Sequence, residues 1–211
     1  MGDTHDTNPQ YFEPDPAVPS RVVQYEIAGP RGPITVASDA GVFSHGSLDK
    51  ATAILLDHLR TMTDEFPAGD IVDVGCGAGP IALLMASLFQ DRRVWAVDTN
   101  RRAVELCAAN ARANSLSNVI ACEPGGFPDN AVISLVCSNP PIRVGKDALH
   151  TLLREWLGRL HNDGCALMVV GKNLGADSLQ SWLTANGWPT ERIGSSKGFR
   201  LFRTTVRHAE G

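Results

Sequence analysis

The sequence predicts an α/β fold in which helices cover both faces of a mostly parallel sheet. From residue 70 onward, short apolar runs alternate with amphipathic stretches, a pattern typical of parallel sheets with crossover helices. A glycine-rich turn joins the first strand of this region to its helix. The last two strand-like runs have no helix between them, which indicates an antiparallel edge.

Residues 1–20 are polar and proline-rich, and are expected to be an extended or partly disordered lead-in. Residues 21–211 are expected to form a single catalytic domain, with a hairpin, lid and helix over 21–69 and a cofactor-binding core over 70–206. Strands Val22–Ile27 and Ile34–Ala37 flank a turn signal rich in glycine and proline. Apolar residues at helical spacing then predict a helix from about Lys50 to Met62.

The core follows in order. Its predicted parallel strands are Ile71–Val74, Val94–Val97, Val119–Cys122, Val132–Cys137 and Ala166–Val170. Its predicted helices are Pro80–Phe89, Arg101–Ala113, Asp147–Leu160 and Leu174–Ala185. The closing antiparallel pair is predicted at Arg192–Ile193 and Phe199–Val206.

Composition excludes several classes of protein. The 211 residues carry a net charge of -4, which argues against a strongly basic nucleic-acid coat protein. Residues 1–70 hold 4 Lys/Arg and 11 Asp/Glu, whereas residues 71–211 hold 15 and 12, so an anionic partner is expected to meet the second part. No apolar run has the length of a membrane span, and the acidic start is unlike a secretory signal. The five cysteines lack metal-ligand spacing. We therefore expect a cytoplasmic protein with reduced cysteines, no metal and no membrane partner.

The turn Asp73-Val74-Gly75-Cys76-Gly77-Ala78-Gly79-Pro80 carries the cofactor prediction. Glycines between a strand and a helix let the backbone approach a ligand and direct N–H groups at it. Asp98 ends the next strand, where a carboxylate can accept both hydrogen bonds of a ribose diol. The spacing is GxGxG rather than the dinucleotide pattern, and Asp73 would repel a pyrophosphate but suit an ammonium. S-adenosyl-L-methionine fits these features best, and a nicotinamide dinucleotide is the second candidate.

The segment Ser138-Asn139-Pro140-Pro141-Ile142-Arg143 ends the fourth core strand and faces the same crevice. Two prolines stop the strand and fix the turn. The Asn139 side-chain oxygen and the Pro140 carbonyl can each accept an N–H of an amine or amide. Such acceptors aim the nitrogen lone pair and stabilise its developing positive charge. The motif therefore predicts nitrogen methylation without a strong base.

These stretches together resemble the small-domain class I methyltransferases that modify the guanine N2 amine of ribosomal RNA. Further support for the resemblance comes from Tyr11-Phe12, Gly41-Val42-Phe43-Ser44, Asp49, Gly145-Lys146, Lys172 and Ser196-Lys197-Gly198. The resemblance implies a Rossmann-like, doubly wound, seven-stranded sheet with an antiparallel last strand. It also implies that ribosomal RNA or a ribosomal subunit is the partner; a monomer and a homodimer remain open.

The resemblance also assigns site residues. Phe43 and Ser44 would close over the methyl donor, and Gly75, Gly77 and Gly79 would face its methionine part. Asp98, with Thr99 beside it, would hold the ribose, and Asn139 and Pro140 would hold the target amine. The residues expected to flank the substrate are Pro141, Ile142, Arg143 and Lys146.

Two departures from the family pattern concern the adenine end of the cofactor. Gly125-Gly126 replaces the usual Asp-Gly pair, with Glu123 as a substitute acid, and Ile133-Ser134 replaces Phe-Asp. Two alternatives therefore stay open: a small-molecule or protein-glutamine N-methyltransferase, and a degenerate, non-catalytic binding module.

Overall fold

A computed structural model describes residues 19, 21–43, 46–62 and 66–206. Except for Pro19, the predicted lead-in over residues 1–20 lies outside these ranges. The first described elements are strands β1 (Val23–Gly29) and β2 (Gly32–Ser38), which pair antiparallel as the predicted hairpin. Helix α1 (Lys50–Thr61) follows, and the Asp49 carboxylate caps it by accepting the Thr52 N–H at 2.9 Å.

Seven strands form the central sheet, in the spatial order β5-β4-β3-β6-β7-β9-β8. Only β9 runs antiparallel, between β7 and β8, so the predicted fold class is confirmed. The strands are β3 (Asp70–Val74), β4 (Val94–Val97), β5 (Val119–Cys122), β6 (Ile133–Ser138), β7 (Leu160–Gly171), β8 (Thr190–Ser196) and β9 (Phe199–Thr205). The helices are α2 (Pro80–Leu88), α3 (Arg101–Ala113), α4 (Lys146–Leu157) and α5 (Ala176–Ala185).

The junction between α4 and β7 differs from the prediction. The apolar spacing through Leu160 predicts a longer helix, but α4 ends at Leu157 and Leu160 already pairs with Ile133 of β6. The polar residues 161–164 then interrupt the register before Cys165 pairs with Leu135. Similarly, α5 begins at Ala176 rather than Leu174, because Gly175 adopts a left-handed conformation at its N-terminus (φ 90°).

Two apolar cores lie on opposite faces of the sheet. The hairpin, α1, α2 and α3 cover one face, around Leu55, Leu83 and Leu135. Helices α4 and α5 cover the other, around Trp156, Leu183 and Phe202. All five cysteines are free, and only Cys122 is not fully buried. Among the helices of the described residues, none has the length and apolar character needed to cross a bilayer.

Two asparagines of α3 attach the hairpin to the core. The Asn114 amide accepts from Thr35 N–H at 3.0 Å and donates to Thr35 O at 2.7 Å. One turn earlier, Asn110 makes the equivalent pair with Ala37 at 2.9 and 2.8 Å. Their spacing of four residues places both amides on one face of the helix. This side-chain ladder fixes β2 and the segment after it, which leads toward the glycine loop.

Candidate functional site

The glycine loop after β3 adopts the left-handed conformations that its sequence requires. Gly75, Gly77 and Gly79 have φ values of 75°, 54° and 88°. The loop is held against the adjacent strand because the Gly75 and Cys76 N–H groups both donate to Val97 O, at 2.9 and 3.1 Å. No described atom lies within 4 Å of a Cβ built on Gly75. The loop is therefore preformed, with open space above its first glycine.

Gly79 has a different task from Gly75. A Cβ built there would lie 2.4 Å from Cys107 Sγ of α3, so a glycine is needed for helix packing. A hydrogen bond to Cys107, together with burial, raises the pKa of the Cys76 thiol well above its usual value. This thiol pair is neutral packing beneath the loop rather than part of its ligand-facing surface.

Asp73, on β3 just before the loop, is fully buried. Its Oδ2 accepts the Ala82 N–H at 3.0 Å, in the first turn of α2. Within the described part of the chain, its Oδ1 has no hydrogen-bond partner. Burial raises the pKa of Asp73 to about 8. A buried carboxylate with one unmet oxygen would be stabilised by a cationic group or an N–H donor on a ligand.

Asp98 stands at the end of β4, facing the loop. Its Oδ2 accepts the Gly77 N–H and its Oδ1 accepts the Asn100 N–H, both at 2.9 Å. Burial raises the pKa of this carboxyl group, although these N–H donors act in the opposite direction. Each oxygen retains acceptor capacity for a hydroxyl group. Thr99 is exposed beside it.

Asn139 follows β6 and reaches the N-terminus of α1. Its Nδ2 donates to Asp49 Oδ2 at 3.0 Å and to Thr52 Oγ1 at 3.1 Å. Both amide hydrogens are thereby engaged, so the Asn139 oxygen remains to accept from a ligand. The sequence analysis missed the roles of Asp49 and Thr52. The cap pattern of α1 was visible in the sequence, but nothing in it indicated that the cap would contact Asn139.

The backbone of the Asn-Pro-Pro turn is also partly engaged. The Pro140 carbonyl accepts the Ile142 N–H at 2.8 Å, which leaves one of its two lone pairs. Pro140 is buried, whereas Pro141 and Ile142 are half-buried. Ile142 packs against the core covered by α4.

The hairpin side supplies the opposite wall of the site. Tyr25 of β1, Phe43, Asp49 and Thr52 line one cleft together with the glycine loop and Asn139. Burial, with a smaller contribution from the Asp49 charge, raises the pKa of Tyr25 to about 12. Phe43 is 48% exposed, and its Cβ lies 4.0 Å from a Cβ built on Gly77. Ser44, the other predicted lid residue, and His45 lie outside the described residues. Tyr25 is a site residue that the sequence did not single out.

The outer residues are more loosely placed. Arg143 and Lys146 are exposed beside the Asn-Pro-Pro turn. Glu123, beyond β5, is half-exposed and lies 3.6 Å from Arg101. His150 is a correction: expected at the helix surface, it is 7% exposed and stacks on Trp182 with ring centroids 3.6 Å apart. Burial, followed by the charges of Lys146 and Arg154, lowers its pKa.

The two departures from the family pattern lie at different edges of the sheet. Ser134, near the start of β6, donates to Asp70 O at 3.1 Å and accepts from Arg92 at 3.3 Å. It is therefore a structural residue at the edge opposite the site. Gly125 lies in a short turn after β5, on the side of Asp98. Only the second departure concerns the cleft.

A glycine loop, an acid ending the adjacent strand and an Asn-Pro-Pro turn meet at the carboxyl edge of this sheet, where open α/β folds bind ligands. With an antiparallel last strand, they define a Rossmann-like methyltransferase. Sequence comparison agrees, since the methyltransferase small domain family matches residues 33–203. The chain belongs to that family.

Similar proteins extend the comparison. An uncharacterised protein, YbxB of Bacillus subtilis, is 36% identical over 171 residues, which cover 80% of this chain and 84% of that protein. The ribosomal RNA small subunit methyltransferase C of Pseudomonas fluorescens is 33% identical over 199 residues, covering 90% of this chain and 57% of that enzyme. The chain therefore spans little more than half of that relative.

A solved structure has the same fold. It is the T. thermophilus 16S rRNA N2 methyltransferase RsmC in complex with AdoMet and guanosine. The TM-score is 0.68 at 19% identity, over 91% of this chain and 52% of that one.

Proposed function

We propose that this protein is an S-adenosyl-L-methionine-dependent methyltransferase that modifies the exocyclic N2 amine of a guanine in ribosomal RNA. The observation that carries the proposal is the orientation of Asn139, whose amide hydrogens are held by Asp49 and Thr52 beside the glycine loop. The names of the ribosomal RNA methyltransferase relatives support the choice of acceptor.

The cleft fits the cofactor at two points. The unpartnered Asp73 Oδ1 provides an anionic, buried acceptor for an ammonium group, and open space lies above Gly75. Asp98 lies where its remaining lone pairs can accept from ribose hydroxyls. When bound, S-adenosyl-L-methionine supplies an electrophilic methyl carbon on a cationic sulfur.

The protein's contribution to the reaction is positioning. The N2 lone pair of guanine is delocalised into the ring, so it is a weak nucleophile. The Asn139 oxygen accepts one N–H of the amine, and the free lone pair of the Pro140 carbonyl accepts the other. Together they orient the nitrogen toward the methyl donor and stabilise the positive charge that develops on it. The Asp49 carboxylate, 3.0 Å behind the Asn139 amide, polarises that amide in the favourable direction.

The direct test compares ribosomal RNA from a strain lacking this protein with RNA from strains that express wild-type protein, Asn139→Ala or Asn162→Ala. Asn162 is exposed in β7 and serves as the matched control. Mass mapping is expected to show one missing guanine methyl group in the deletion strain. Wild type and Asn162→Ala should restore it, and Asn139→Ala should not.

Purified Asn139→Ala protein should still bind S-adenosyl-L-methionine in calorimetric titrations, within about threefold of wild type, because Asn139 faces the acceptor. An unchanged methyl pattern in the deletion strain, with transfer to a glutamine peptide or a small molecule instead, would replace the RNA acceptor. Absence of cofactor binding by the wild-type protein would identify the degenerate binding module.

A further inference from the structure

The lysines and arginines of this chain are distributed very differently. Most arginines are held by carboxylates or backbone carbonyls of the described residues. Those within 4.0 Å of a carboxylate oxygen include Arg60, Arg93, Arg101, Arg159 and Arg200. The chain has only four lysines, at positions 50, 146, 172 and 197. All four are exposed, and in the described ranges no ion pair or side-chain hydrogen bond is formed by any of them.

These four lysines come from separate parts of the sequence but share one edge of the sheet. Lys50 follows Asp49, which contacts Asn139. Lys146 begins α4, just after the Asn-Pro-Pro turn. Lys172 follows the end of β7, and its N–H donates to Gly198 O at 2.8 Å, which brings the turn containing Lys197 beside it. All four therefore lie at the carboxyl edge, around the acceptor side of the cleft.

The spacing along the sheet indicates the reach of this set. Ser138 pairs with Met168, and β7 continues to Gly171. At about 3.3 Å per residue, Lys172 stands roughly 10 Å beyond Asn139 along the strand direction. Arg143 is exposed between them and likewise has no ion pair within the described residues. The carboxylates nearby are Asp147 and Asp177, and Arg200 already pairs with Asp177 at 3.0 Å.

We propose that Lys50, Arg143, Lys146, Lys172 and Lys197 form a phosphate-binding rim that holds the RNA backbone on either side of the target nucleotide. The inference rests on the proposed function and deepens it, since it makes the substrate a polynucleotide rather than a free nucleoside. Unpaired ammonium groups on flexible stems suit phosphates as point charges and carry no base preference. On a chain of net charge -4, such a local rim would direct RNA to this edge alone.

The test measures RNA binding as a function of salt. The probe is a fluorescein-labelled single-stranded 20-nucleotide RNA, and anisotropy is recorded from 50 to 300 mM KCl. For single strands, each phosphate contact contributes about 0.7 to the slope of log K against log salt. The double variant Lys172→Gln/Lys197→Gln should therefore lower the slope by about 1.4 and weaken binding roughly 25-fold at 0.1 M salt.

The matched control is Arg31→Gln/Arg112→Gln, which removes the same charge from exposed positions at the hairpin turn and the far end of α3. It should leave the slope within about 0.3 of wild type, and both double variants should bind S-adenosyl-L-methionine normally. An unchanged slope in the lysine variant, or an equal loss in the control, would overturn the rim.

The outcome is separable from that of the proposed function. If the lysine variant loses RNA affinity but ribosomal RNA from the deletion strain lacks no methyl group, the rim stands and the proposed acceptor fails. If the methyl group is missing but the lysine variant keeps the wild-type slope, the acceptor stands and the rim fails.

Discussion

The Asp49 carboxylate offers the sharpest test of how the site is built, because it caps α1 and holds the Asn139 amide at once. Replacing Asp49 by Ser keeps a capping oxygen for the Thr52 N–H, and serine caps a helix about as well as aspartate. The shorter side chain no longer reaches Asn139. Replacing Asp49 by Asn keeps both contacts but removes the charge.

The size of the effect follows from the bond that is lost. A hydrogen bond to a charged group contributes about 1.5–3 kcal/mol, and a neutral one about 1 kcal/mol. Without the carboxylate, the Asn139 amide is free to turn its NH₂ group toward the acceptor. At 1.36 kcal/mol per factor of ten, Asp49→Ser should lower kcat by roughly 10- to 100-fold, and Asp49→Asn by roughly fivefold.

The assay is transfer of labelled methyl groups to small ribosomal subunits purified from a strain lacking this protein. Melting temperatures and cofactor affinities are measured in parallel, and Asp57→Asn, an exposed position of α1, is the control. Positioning through Asn139 has a distinct signature: Asp49→Ser should have no further effect in an Asn139→Ala background. A folded Asp49→Ser variant with wild-type kcat, or additive losses in the double variant, would refute the positioning role.

Three further predictions concern stability. The folded-state pKa of Asp73, about 8, lies above the unfolded value of about 3.9, so the native state holds the extra proton. Its free energy of unfolding should therefore fall between pH 5 and 8, by up to about 5 kcal/mol; denaturant melts should show a flatter pH profile for Asp73→Asn, and identical profiles would contradict this. Gly79→Ala should cost about 2–5 kcal/mol, from a left-handed alanine and a clash with Cys107, whereas Gly125→Ala should be neutral; equal melting temperatures would exclude the packing role. Asn114→Ala should destabilise by about 1–3 kcal/mol through the unpaired backbone of β2, measured by urea unfolding, with an unchanged midpoint as the contrary result.

The order of elements was accessible from the sequence because each core strand is a short apolar run bounded by polar residues. β4 and β5 match their predicted bounds, and so does α3. The α4–β7 junction was not accessible, because Leu157 and Leu160 have helical spacing. Only pairing with Ile133 draws Leu160 into the sheet, and that long-range contact leaves no local signal.

The site divides in the same way. The glycine loop, Asp98 and Asn139 are motif residues next to strand ends, so their convergence followed from the rule that parallel strands present their carboxyl ends at one edge. Tyr25 and Thr52 reach the cleft only because the hairpin and α1 fold over it. Their positions depend on tertiary packing across 87 residues or more of sequence in the case of Thr52 and Asn139.

The asparagine ladder on α3 also affects how the protein behaves at high concentration. An exposed strand edge is a template for pairing with another chain, but the backbone groups of Thr35 and Ala37 are already satisfied by Asn114 and Asn110. Another chain could add a strand there only after the hairpin had left the helix. The same two amides thus hold one wall of the cleft in place and guard β2 against aggregation, so their loss would reduce the supply of folded protein as well as its activity.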